Sequence, residues 1–575
     1  MLDCVIRGGT LIDGTGASRR DADLGFRDGR IAAIGEVSEA AEKEVDARGK
    51  IVAPGFVDIH THYDAQAFWD PTLSPSPFHG VTTVVGGNCG FSIAPLAPEA
   101  SDYLMRMLSR VEGMPLASLQ EGVPWDWATF GEYLDRLENR LAVNAGFLVG
   151  HCALRRVVMG EEATGNAASS EQIVAMQQLL ADSLAAGGLG FSSSWARTHN
   201  DGAGAPVPSR SAEREEILAL CRTTGEHPGT TLEFIPTVGP FEEHHSAMMT
   251  DMSLAAGRPL NWNVLVAQAM GREMWEGQLA ASDFAAARGA RVLALTPPVV
   301  MEVRLNFVSG FVLDAFPGWA ELFGLPLEER KKQLADPSVR ERLDRAANSE
   351  EAGVFRAMAA WENMTIAETF TEANAPYQGR TIGDVANELG KKPFDTLLDL
   401  VLSEDLRTSF MPRSIGNDDE SWKIRAEIWR DARSVVGASD AGAHLDMINT
   451  FLYTTALLES VRERQLLTFE EAIHQLTDVP ARLYGLRERG RLAENWCADV
   501  TIFDPDTVAP TPIYTKADLP AGASRLYADA IGIENVFVNG CEIVRGGEFT
   551  QQHPGTLLRS GRDTATVEIK GSAPH

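Results

Sequence analysis

Eight short apolar runs recur through the middle of the chain: FVDIH, TTVVGG, AGFLVGH, GLGFSSS, TTLEFIPT, NWNVLVA, RVLALTP and SVVGASD. Each has the length of a strand. Helix-length segments lie between several of them, with apolar residues spaced by three and four and a glycine near the end, as in SSEQIVAMQQLLADSLAAG, EREEILALCRTTG and SDFAAARGA. A strand covered by helices on both faces has no solvent side, so its residues are apolar without alternation, the pattern of parallel β/α construction. Eight such units predict an α/β fold, a (β/α)8 TIM-like barrel over residues 55–485, with its active site at the C-terminal strand ends. The stretch near 304–415, rich in helix formers and aromatic clusters, is too long for a loop and is expected as a helical insertion between strands seven and eight.

The flanks have another texture. LDCVIRGGTLID and ADLGFRDGRIAAIG at the start, and ADVTIFDPDTV and ENVFVNGCEIVRGGEF near the end, alternate apolar and polar residues around Asp-Gly, Asn-Gly and Gly-Gly turns. Residues 1–54 and 486–555 are therefore expected to pair as a small β-sandwich domain, leaving 556–575 as a C-terminal tail. With 575 residues, more than one structural unit is expected. A net charge of −29 repels nucleic acid and anionic membrane surfaces, and no apolar run reaches the roughly 18–20 residues of a membrane span. The six cysteines form no CxxC pair and the N-terminus has no signal-peptide pattern, which points to a reduced, cytoplasmic protein.

The first run ends in GFVDIHTHYD. Residues i and i+2 of a strand face the same way, so His60 and His62 aim together into the barrel while Thr61 faces out, and two imidazoles so placed can bind one metal ion. Asp440 ends the last apolar run and is expected at the same rim, able to bind metal and to shuttle a proton. Cys89 lies among the glycines of GGNCG, where a thiolate favours zinc; a buried inert thiol is the competing reading.

APGFVDIHTHYD, GVTTVVGGNCGFSIAPL, FLVGHCALR, GLGFSS and GASDAGAH, with the later ADVTIFDP and VFVNG, resemble the metal-dependent amidohydrolase superfamily, and within it the N-acyl-D-amino-acid deacylases, or D-aminoacylases. The likeness runs over nearly the whole chain. It implies that His60, His62 and Asp440 are metal ligands and that Cys89 takes the place of the metal-bridging cysteine. It also marks departures. The histidines that such deacylases carry after strands five and six are replaced by Glu233 and Asn263, and no lysine occurs between Lys50 and Lys331 to form a carboxylated bridge. One Zn2+ on His60, His62 and Asp440, completed by Cys89 or Glu233, is preferred to two ions, and another divalent metal stays open.

The cations with which these deacylases hold the substrate carboxylate are also missing. Arg155, Arg197 and Arg210 are candidates by position, with His151 and His199 as further candidate substrate contacts beside Asn263; His244 and His245 read as surface residues. The expected activity is metal-dependent hydrolysis of a small amide-type C–N bond with altered substrate preference, free N-acyl-D-amino acids being poorer substrates than amides without the carboxylate. Asp440 is the expected base and acid. A cyclic amide, carbamate or lactone is an alternative substrate, and a non-catalytic binding or assembly protein is an alternative of another class. Nucleic acid and membrane are not expected partners, and a homo-oligomer stays open.

Overall fold

The two ends of the chain meet in one nine-stranded sheet in the computed structural model, which describes residues 1–310 and 312–569. The first five strands are β1 (Leu2–Leu11), β2 (Arg20–Arg27), β3 (Arg30–Gly35), β4 (Ala41–Asp46) and β5 (Ile51–Pro54). The later ones are β17 (Val500–Phe503), β22 (Ile533–Val538), β23 (Cys541–Arg545) and β24 (Glu548–Phe549). Short β18 (Ala509–Pro510) and β21 (Ala530–Ile531) pair with each other, as do β19 (Tyr514–Lys516) and β20 (Arg525–Tyr527). Strand β5 is the seam, parallel to β1 through Thr10 and Ile51 and antiparallel to β17 through Pro54 and Val500. Alternate residues of both chain ends, among them Ile6, Phe26, Val52, Ile502 and Phe537, fill one apolar cluster, with the Phe26 and Phe537 rings edge to face at 5.5 Å.

The central runs form parallel strands in chain order. Strands β6 (Phe56–Asp58), β7 (Val81–Gly86) and β8 (Asn144–Phe147) make one parallel sheet. A second runs from β9 (Val149–Gly150) through β10 (Gly190–Ser194), β11 (Thr231–Ile235), β12 (Leu260–Trp262) and β13 (Val292–Thr296) to β16 (Ser434–Val436). Only Leu148 separates β8 from β9, and its N–H donates to the Gly86 carbonyl at 2.9 Å. At the other edge Thr61, beyond β6, forms a parallel bridge with Ala441, beyond β16. Most of these strands bury every residue, which explains the uninterrupted apolar runs.

Between β13 and β16 the chain leaves this arrangement. Helices such as Leu327–Ala335, Pro337–Ala347 and Pro393–Ser403 surround a separate apolar cluster in which Trp319 stacks on Trp361 at 5.9 Å and Phe394 packs beside both. The small sheet of β14 (Thr365–Glu368) and β15 (Ser409–Met411) lies within it. The expected tail is tied down as far as it is described: Leu557 bridges Ala145, Leu558 is buried, and the Ala565 N–H donates to the Gly485 carbonyl at 2.7 Å. Two adjacent leucines with backbone groups to pair are enough to hold this stretch against the lower ends of the strands. Residues 570–575 of that expected tail lie outside the described residues.

Candidate active site

The Thr61 backbone is hydrogen-bonded on one side to Val85 at 3.0 Å, and the His62 N–H donates to Ala441 at 2.8 Å on the other. Held in extended form between both neighbours, this segment turns His60 and His62 to the same interior, where both are buried. Cys89 sits in the single turn Asn88–Gly90 with φ of 55°. The turn is pressed against the break in strand three: a Cβ on Gly87, φ 75°, would stand 2.2 Å from the Leu148 carbonyl oxygen, so only glycine fits there. Asn88 clamps the turn with Nδ2 donating to the carbonyls of Thr61 and Val85 at 3.1 and 3.0 Å.

After β16 the chain takes left-handed conformations at Ala438, Asp440 and Gly442. A Cβ on Gly442 would lie 2.8 Å from the His62 carbonyl. This tight turn returns Asp440 to the histidines, with Oδ1 at 3.1 Å from His60 Nε2 and 3.8 Å from His62 Nε2. His60, His62 and Cys89 each offer a ligand atom within 4.8 Å of the others, and Cys89 Sγ is 3.5 Å from His60 Nε2. Two nitrogens and a sulfur thus cluster, with the Asp440 carboxylate beside the two imidazoles, a donor set that suits a zinc-like divalent ion.

The electrostatics of the cluster favour a cation among these groups. Burial and the carboxylates of Glu233, Glu112 and Asp440 push the Cys89 thiol well above its ordinary range, so it ionises only against a cation. Burial opposes ionisation of Asp440, yet the His60 and His62 imidazoles outweigh it and hold the carboxyl below the usual range. Burial also disfavours the charged form of His62, but Glu112 and Asp440 raise it to about 9.

The strand-five and strand-six replacements take different roles. Glu233 is buried, pushed up to about 8 chiefly by burial, and its Oε2 accepts the Cys89 N–H at 2.7 Å. It supports the cysteine turn from below instead of joining the three-residue cluster. Asn263 has Nδ2 at 3.4 Å from His60 Nε2, and its Oδ1 is buried without a hydrogen-bond partner among the described residues.

Over these groups opens a cavity of about 540 Å3 lined by His62, Cys89, Asp440, Asn263, His199 and Arg197. Its far wall, with Val312, Ala320 and Phe355, comes from the insertion. His199 is fixed by Ser194 Oγ at 2.7 Å and packs against the Phe91 ring. Arg197 is exposed at the rim and has no ion pair or hydrogen bond among the described residues.

The other candidate contacts are placed elsewhere. Arg155 is fully buried, its guanidinium held by Glu216 at 2.6 and 2.5 Å and by the carbonyls of Ala163 and Asn166. It is neutralised inside the fold and does not meet substrate. His151 bonds the same Glu216 and Ser193, both at 2.8 Å, the structural alternative to a substrate contact. Arg210 donates to the His199 carbonyl and Asn200 Oδ1 at 3.0 and 2.7 Å, and so braces a lining loop without lining the cavity itself. The rings of His244 and His245 lie 3.8 Å apart, tilted at 38°, on the helix Glu243–Ala256, away from the cluster.

Sequence reasoning missed Glu112 and Arg110. Glu112 follows the helix Ser101–Val111, is buried, and stands 3.5 Å from His62 Nδ1 and 3.7 Å from His444 Nε2. Arg110 lines the cavity but is ion-paired to Asp314. No motif surrounds either; the charged RVEG ending of a helix reads from sequence as a solvated helix end.

Comparisons with known proteins show the family. Residues 43–540 match the amidohydrolase family. The chain is 31% identical to a D-aminoacylase of Alcaligenes xylosoxydans xylosoxydans over 97% of both chains, and 31% identical to an N-acyl-D-glutamate deacylase of the same organism over 97% of this chain and 96% of that one. Among solved structures it superposes on a D-aminoacylase with a TM-score of 0.65 at 28% identity, covering 97% of this chain and 100% of that one. An N-acyl-D-glutamate deacylase from Bordetella bronchiseptica, complexed with zinc and a phosphonate mimic of the tetrahedral intermediate, gives 0.63 at 27% identity over the same shares. A D-aminoacylase whose binuclear centre is described by one-metal activation and second-metal attenuation gives 0.64 at 28%, again over those shares. The chain belongs to the amidohydrolase family.

Proposed function

We propose that this chain is a metal-dependent hydrolase of the N-acyl-D-amino-acid deacylase type, cleaving an amide C–N bond. The observation that carries the reading is the cluster of His60, His62 and Cys89, with Asp440 beside the two histidines, beneath a cavity, in a chain collinear with D-aminoacylases over 97% of its length. Its architectural counterpart is a closed (β/α)8 barrel over 55–485, supported by the parallel pairing in chain order and the Thr61–Ala441 bridge. The nine-stranded sheet is read as a sandwich-like domain of residues 1–54 and 486–555.

The four donors are read as holding one divalent ion, zinc by their chemistry. Such an ion lowers the pKa of water to about 7 and polarises a carbonyl oxygen. One ion is preferred because Glu233 is turned to the Cys89 amide and Asn263 offers a neutral amide, whose Oδ1 would face His60 if the amide were turned over. Asp440 takes a proton from the attacking water and delivers it to the leaving nitrogen; its ionised form is the one its two imidazole neighbours favour. Glu112 stands 3.5 Å from the far nitrogen of His62, on the side where carboxylates behind metal-binding histidines sit.

Substrate preference turns on cations. Arg110 is neutralised by Asp314, which leaves Arg197 at the rim to meet a substrate carboxylate, with the apolar insertion wall receiving the acyl group or side chain. The test is turnover of a panel of N-acyl-D- and N-acyl-L-amino acids, cyclic amides and carbamates, with elemental analysis of the same preparation. Hydrolysis of the D-acyl series by protein holding about one zinc per chain is expected. Protein free of metal and inert to the whole panel would sink the reading in favour of a binding protein.

A further inference from the structure

A second cavity, of about 600 Å3, lies between the end of the helix Ser101–Val111, the insertion and strand β20. It meets the catalytic cavity at Arg110, which lines both. Its polar groups include two that the fold leaves incomplete. Arg330 is 5% exposed, and among the described residues its terminal nitrogens donate only to the carbonyls of Phe307, Val308, Phe323 and Leu325, while Nε has no partner. Carbonyl dipoles accept those bonds and leave the charge without a counter-ion. Burial, and next the nearby Arg110, push this guanidinium down to about 10. Ser409, 7% exposed, has an unpartnered Oγ. Arg407, exposed at the edge, lies over the Phe370 ring at 4.7 Å and bonds only the Glu404 carbonyl, at 3.4 Å.

The two carboxylates of the lining do not cancel these charges. Glu368 is taken by Arg304 at 3.4 Å and Thr515 at 2.5 Å, and Asp446 accepts from Asn306 at 2.7 Å with its other oxygen buried and unpartnered. The lining therefore holds two unneutralised guanidinium groups against one carboxylate, in a cavity walled by Phe323, Phe370, Met114 and Leu526. We propose that this cavity binds a small organic monoanion with an apolar body, of the class of an aryl- or alkyl-carboxylate, its head on Arg407 and Ser409 in the field of the buried Arg330 charge. The anion is either a separate small molecule or the far end of an extended substrate reaching past Arg110.

Phenylacetate is a suitable probe, titrated calorimetrically into the full-length, metal-loaded protein. Saturable binding is expected in the parent, about tenfold weaker in Arg407→Gln and weaker in Ser409→Ala, as loss of charge-assisted and neutral hydrogen bonds implies. The same affinity is expected in a His60→Ala/His62→Ala protein, which disables the catalytic cluster without touching this lining. No saturable heat in the parent overturns the proposal. So does binding that survives Arg407→Gln unchanged but is lost in the histidine variant, since that puts the anion in the catalytic cavity. With the site so confirmed, competitive inhibition of hydrolysis by phenylacetate assigns the anion to the substrate's far end, and non-competitive inhibition assigns it to a separate molecule.

Discussion

Asp440→Asn isolates one function of the cluster. The amide keeps the volume and the left-handed turn, because asparagine tolerates φ near the 49° seen here as readily as aspartate does. It opens no cavity and breaks no apolar contact. What it removes is the negative charge 3.1 Å from His60 and 3.8 Å from His62, and with it the only proposed acceptor for the proton of the attacking water. General acid–base catalysis contributes about 10²–10⁴-fold. At about 1.36 kcal/mol per decade this is roughly 2.7–5.4 kcal/mol of barrier. Because an amide oxygen is also a weaker ligand, metal occupancy must be restored before the comparison. The assay is therefore kcat and KM with saturating zinc, elemental analysis on the assayed sample, and a thermal unfolding curve to show an intact fold. The expected result is a kcat lower by about 10²–10⁴ with KM close to the parent value. Activity within about threefold of the parent at equal zinc content would refute the role of Asp440 as base.

Replacing His60 and His62 together by alanine should remove the copurifying metal; unchanged metal content by elemental analysis would place the ligands elsewhere. Arg197→Ala should raise KM about tenfold or more for an N-acyl-D-amino acid and leave its methyl ester unaffected, since one charge-assisted hydrogen-bonding partner is lost. Equal effects on acid and ester would show that Arg197 does not meet the carboxylate. Glu216→Gln leaves the buried Arg155 charge unmatched and should destabilise the fold by about 3–5 kcal/mol in urea unfolding. An unchanged midpoint would mean that the Ala163 and Asn166 carbonyls suffice to hold Arg155.

The parts of the molecule legible in the sequence are those governed by local periodicity. The eight central strands were readable because burial on both faces leaves uninterrupted apolar runs, and the terminal strands because one-sided burial leaves alternation. His60 and His62 were readable because i and i+2 of an extended segment share a face. Asp440 was expected at the rim from its position after an apolar run, but its approach to the histidines depends on a left-handed turn at Ala438, Asp440 and Gly442 that no local pattern announces. The arginines were the least legible. Arg155, Arg197 and Arg210 all follow strand ends, yet one is buried on Glu216, one lines the cavity and one braces a loop. Nothing local separates them, because the difference lies in partners 61, 10 or 11 residues away, or in the lack of any. Glu112 was invisible for the same reason: its importance comes from what the turn after β16 brings beside it.

The seam at β5 has a consequence for how the molecule is made. Residues 51–54 need β17, which pairs Val500 with Pro54. A ribosome adding about 5–20 residues per second reaches that partner on the order of 20–90 s after β5 has been synthesised. For that interval the first five strands expose an unpaired edge on a nascent chain that is already building its parallel strands, and open edges invite pairing with other chains. Slow non-local pairing of this kind favours low-temperature expression and holding chaperones. It also means that neither terminus can be removed alone without stranding the half-sheet left behind.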